Sequence, residues 1–181
     1  MFWLSNLSFF FLSIGVHTMN YTIKNLKTWN TWDGGGYSCT LYCDGDKIAI
    51  VLNEGVGGET QIMTLDVNSP KVEIDTWFNK ETETQHRAWV TPNYAKLVAF
   101  CKTLPKWDCL GEMHDMEPSL YIEELISETN YQKKVNNAKK KGTPFKLEGD
   151  DKFTFSVLNT LDQKVVINYL EKNHPNKYQL I

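Results

Sequence analysis

The sequence of 181 residues is short of most features that would define a specialised class. Eleven glycines without a triplet period exclude a collagen-like chain, and four cysteines at irregular spacing exclude a disulfide scaffold. No heptad pattern is sustained, which excludes a long coiled coil. No run of about 20 apolar residues occurs, so a polytopic membrane protein is excluded as well. A net charge of −3 is too small to name a nucleic-acid or membrane partner. What remains, with 41% hydrophobic and 23% charged residues, is the composition of a globular protein of ordinary domain size.

Charge is also missing locally. No Asp, Glu, Lys or Arg precedes Lys24, and Phe2-Trp3-Leu4 and Phe9-Phe10-Phe11-Leu12 make an apolar run broken by serines. The run lacks the basic start and the small-residue cleavage site of a secretory signal. Met19-Asn20-Tyr21-Thr22-Ile23 reads as a natural start leading into a strand. The expectation is therefore an apolar extension over residues 1–18 that stands outside the fold, and one α+β domain over residues 19–181. A membrane contact is expected only if the extension is retained as an anchor.

What is present is patterned. Residues 1–128 carry 9 basic and 17 acidic side chains, and residues 129–181 carry 10 and 5. In the first half Cys39, Leu41 and Cys43 alternate with Ser38, Thr40 and Tyr42, Asp44-Gly45-Asp46 is a tight-turn sequence, and Lys47–Leu52 returns as a partner strand. Thr60–Asp66 and Lys71–Phe78 extend this into an antiparallel meander. Thr91-Pro92 opens a helix, and Pro118 opens a second that runs to Gly142. Thr143–Leu147 and Phe153–Leu158 flank a turn as a second hairpin. Thr160 with Gln163 has capping-box spacing ahead of a last helix. The fold expected is α+β: an N-terminal antiparallel meander, about three helices and a C-terminal hairpin.

Four groups of residues are candidate sites. Gly34, Gly35, Gly36 and Gly55, Gly57, Gly58 form two glycine-rich loops whose backbone N–H groups suit a nucleotide-like small molecule. Both lie between strands rather than at a helix N-terminus, so the phosphate signal is weak and tight turns are the simpler expectation. Lys133, Lys134, Lys139, Lys140 and Lys141 are a basic cluster that suits nucleic acid, or simply a solvated helix face. Glu112, His114 and Asp115 are weak metal candidates, since oxygen and nitrogen ligands are present but match no ligand spacing. Trp29, Trp32, Trp77 and Trp89 stand in polar contexts and suit an exposed binding surface.

The cysteines read as structural. Cys39 and Cys43 lie about 13 Å apart along a strand, too far to share one zinc ion. Cys101 or Cys109 with His86, His114 or His174 shows no nucleophile–base signature. Catalysis is not expected, and no cofactor is.

Lys24–Thr28, Asp33-Gly34-Gly35-Gly36-Tyr37-Ser38-Cys39-Thr40-Leu41-Tyr42, Asp44-Gly45-Asp46-Lys47 and Asn53-Glu54-Gly55-Val56-Gly57-Gly58 resemble a family of small proteins of tailed bacteriophages. Lys139–Lys141, Thr143-Pro144-Phe145-Lys146-Leu147 and Asn168–Leu180 are similar to its closing segments. The resemblance covers residues 20 to 181 and implies a setting, not an activity: an accessory protein in the host cytoplasm. Its expected mode is binding, with a host protein or defence system as the partner antagonised. Small-molecule capture by the glycine loops and nucleic-acid binding by the lysines are the alternatives.

Overall fold

Strand alternation in the first half produces a four-stranded antiparallel sheet in the order β1-β2-β3-β4, formed by Tyr21–Thr31, Gly34–Cys43, Asp46–Asn53 and Gln61–Thr64. The computed structural model describes residues 19–79 and 84–181; the apolar extension over residues 1–18 lies outside the described residues. Asp44 and Gly45 both take positive φ (51° and 93°), the geometry of a two-residue hairpin turn whose twist matches the flanking strands. Because β2 and β3 pair with Cys39 opposite Val51 and Leu41 opposite Ala49, these four side chains share one face. All four are buried there.

β1 is an edge strand, and its pairing with β2 slips between Lys24 and Lys27. Asn25 absorbs the slip at φ 55° and donates its side-chain amide to the Thr40 hydroxyl at 3.4 Å. The extra residues make a bulge, which bends the strand and raises its twist.

The expected meander ends at β4. β5 (Val72–Asn79) pairs instead with β6 (Thr84–Val90) in a separate two-stranded sheet. α1 (Pro92–Cys101) follows with Thr91 as its N-cap, the Oγ1 accepting the Tyr94 N–H at 3.4 Å. A short hairpin, β7 (Trp107–Cys109) and β8 (Glu112–His114), then leads to α2 (Pro118–Lys139).

Beyond α2, β9 (Thr143–Leu147) is the centre of a three-stranded sheet. It is flanked by β10 (Ser156–Leu158) and by β11 (Tyr178–Leu180), and α3 (Gln163–Asn173) lies between those two in sequence. Two expectations need correcting here. The hairpin partner of β9 begins at Ser156 rather than Phe153, because Phe153 and Phe155 turn their rings onto Tyr131 of α2, at 6.0 and 5.6 Å. The cap of α3 is Asp162 rather than Thr160: its carboxylate accepts the Lys164 and Val165 N–H groups.

The helices cover the Leu41 face of the large sheet. Leu97 and Cys101 of α1 and Ile122 and Ile126 of α2 close over Leu41, Ala49 and Val51, with Tyr21, Phe100 and Tyr121 stacked at the margin. Phe145, Val166 and Leu170 form a smaller cluster under the second sheet. The architecture is α+β. Among the described residues no helix is long and apolar enough to cross a membrane.

Candidate functional site

Antiparallel pairing decides where the glycine loops go. Thr31 stands opposite Gly34 across the β1–β2 turn, and Tyr37 stands opposite Asn53 at the end of β3, so both loops emerge at one end of the sheet. They then pack on each other. Thr31 Oγ1 bonds the carbonyls of Gly34 (3.0 Å) and Gly55, and the Trp29 indole N–H donates to the Glu54 carbonyl at 3.4 Å. Asn53 accepts the Gly55 N–H at 2.8 Å and donates to Thr60 Oγ1 at 3.0 Å, which also meets the Tyr37 hydroxyl at 2.8 Å.

The glycines are what allows this contact. Gly55 sits at φ +74°, and a Cβ there would lie 2.5 Å from the Gly36 nitrogen; a Cβ on Gly36 would meet the Trp29 indole and the Glu54 carbonyl. Backbone thus occupies the space between the loops. On this hydrogen-bonded tip Trp32 is 86% exposed, with Trp29 and Val56 also open to solvent.

Beside the tip lies a cleft of about 1190 Å³, walled by the 58–60 loop, β4, the β5–β6 hairpin, α1 and the start of α2. Gly58 is the one candidate glycine that lines it. Its wall is fixed by a polar junction between β4 and α1. Thr64 and Thr91 share a hydrogen bond of 2.6 Å, and Asp66 accepts the Asn93 N–H at 2.8 Å. Burial alone would raise the Asp66 carboxyl, but hydrogen bonds from Asn93, Thr64, its own N–H and Thr91 together hold it below the usual range. Tyr94 in the cleft is pushed up by burial and then by the Cys101, Glu117 and Glu59 charges, so it stays a neutral phenol.

The other candidates lie apart from the tip, although His114 and Asp115 line the cleft. The five lysines of the cluster are all exposed on the last turns of α2 and just beyond it, with Val135 on the buried side. Among the described residues none of them takes part in an ion pair. Glu112 and His114 approach only to 3.9 Å, Asp115 pairs with Lys106 at 3.1 Å, and the His114 ring stacks on Trp107 at 5.6 Å. Among the described residues no three His, Cys, Asp or Glu side chains converge as metal ligands. Asp108 accepts the Gly111 N–H at 2.7 Å, so part of this acidic stretch serves its own turn.

Trp89 is 68% exposed on β6, whereas the side chain of Trp77 lies outside the described residues. Cys39 and Cys101 are buried, with thiols pushed up by burial to about 11 and about 12, and remain protonated at neutral pH.

The cleft was not visible in the sequence. Its walls come from residues 53 to 123 in short pieces, each carrying one or two lining side chains, and no local motif marks such a surface. The chain gives no match to any protein-family model, to any curated protein or to any solved structure.

Proposed function

We propose that the protein is a non-catalytic binder of a tailed bacteriophage that engages, and so antagonises, a host protein in the host cytoplasm, through the glycine-locked tip. The resemblance to small phage proteins supports the setting. The exposure of Trp32, at 86% in the β1–β2 turn beside the packed glycine loops, carries the mode. An indole held in water is a large apolar surface left uncovered, and tryptophan is among the residues that dominate interface energetics. A preorganised loop loses little further entropy on docking, which leaves more of the contact energy as affinity.

The test compares wild type with Trp32→Ala as bait in a bacterial lysate. The expected result is one host protein retained in stoichiometric amount by wild type, with affinity falling tenfold or more in the variant, a loss of about 1.4 kcal/mol or more. Retention of the same proteins by both baits, or of none, overturns the reading.

A second reading, nucleic-acid binding by Lys133, Lys134, Lys139, Lys140 and Lys141, is favoured by their common exposure. It requires binding that weakens steeply as salt is raised.

A further inference from the structure

We propose that the cleft docks a short peptide segment of a partner protein, with basic side chains at one end and apolar ones along its length. The site is separate from the tip reading and does not depend on it. At about 1190 Å³ the cleft exceeds the roughly 300–1,000 Å³ usual for small-molecule sites. Its lining includes Ile62, Ile74, Val90 and Val98, an apolar surface able to take aliphatic side chains.

Charge gives the segment its polarity. Five carboxylates line the cleft, and two are answered internally: Asp75 by Arg87 at 3.2 Å and Asp115 by Lys106 at 3.1 Å. Glu59, Glu117 and Glu123 are exposed and form no ion pair among the described residues. Glu117 also stands at the N-cap of α2 without making a capping hydrogen bond. Glu59 and Glu117 act electrostatically on Tyr94, and Glu123 acts on Tyr37, whose hydroxyl meets Thr60, so the three gather around Tyr94 and Thr60 in the cleft. Three like charges that no ion pair among the described residues answers leave a negative field that an arginine or lysine would relieve.

Lys102, the C-cap of α1 and so a helix length from Tyr94 in its first turn, donates to the Asp75 carbonyl at 3.5 Å beside β5. A docked segment therefore points its basic residues toward α2 and any carboxylate toward β5.

The probe is a fluorescent, amidated Arg-Arg-Leu-Val-Leu-Val peptide, read by anisotropy at low salt against the full chain. Saturable binding with a Kd of about 10–100 μM is expected. Glu59→Gln/Glu117→Gln/Glu123→Gln should weaken it tenfold or more, and Ala88→Trp, which fills the cleft from β6, should do the same. Asp46→Asn/Glu148→Gln/Glu171→Gln removes as many exposed charges elsewhere and should leave it within twofold. Trp32→Ala should leave it unchanged, which separates this site from the tip.

The proposal is overturned by no binding, by equal binding to the first triple variant, or by equal binding of the Glu-Glu-Leu-Val-Leu-Val analogue. Spermine binding as tightly as the peptide overturns it too, in favour of a small polyvalent cation. Unchanged thermal melting of each variant, read alongside, keeps unfolding from imitating a loss of affinity.

Discussion

The loop that follows β3 is locked at one end and open at the other. Gly55 lies against the backbone of Gly35 and Gly36, while Gly58, three residues on, has nothing within 4 Å of the place a Cβ would occupy. The first end belongs to the tip and the second borders the cleft. Identical residues in one loop thus serve opposite purposes, and counting glycines does not tell them apart. What an added side chain would meet does. The two regions also differ in what fixes them. The tip is held mostly by contacts to backbone, whereas the cleft wall is held by side chains that include a titratable carboxylate.

The largest effect should come from Gly55→Ala. The left-handed conformation costs an L-residue about 1–2 kcal/mol, and the clash with Gly36 adds about 1–3 kcal/mol. A loss of about 3 kcal/mol in denaturant-derived stability is expected, and a loss below about 1 kcal/mol would show that the loops do not lock.

Acid should loosen the cleft wall next. The Asp66 carboxyl is lowered on folding, so its contribution is complete above its unfolded value near 4 and is lost as pH falls through its folded value. Urea midpoints measured from pH 5 to pH 2 should fall in wild type and fall less in Asp66→Asn, which should itself cost about 1 kcal/mol at neutral pH. Equal acid slopes for the two proteins would remove Asp66 from the account.

The smallest effect should be that of Gly58→Ala, within about 0.5 kcal/mol of wild type by the same denaturant measurement. A large cost there would erase the contrast between the two ends of the loop.

Much of the fold was legible because its signals are local. Alternation around Leu41, the Asp44-Gly45 turn, Thr91-Pro92 and Pro118 each name their element within a few residues. The parts that were missed depend on distant partners. β6 begins Thr84-Gln85-His86-Arg87, a polar run with no period, and becomes a strand by pairing with β5. β11 is three residues that complete a sheet with β9, some thirty positions earlier in the chain. Sequence spacing named both glycine loops, but whether they lie together depends on the direction of three strands. The cleft draws on too many segments for any one of them to show it.

The bulge at Asn25 has a consequence for how copies of the molecule meet. β1, at 11 residues, is the longest strand among the described residues and one edge of its sheet. A long straight edge invites another chain to add itself through free backbone groups. Here the left-handed residue kinks that edge, and Lys24 and Lys27 set a positive charge on either side of the kink. Two molecules brought together along β1 meet mismatched backbones and like charges, so this edge is a poor template for the addition of a further strand.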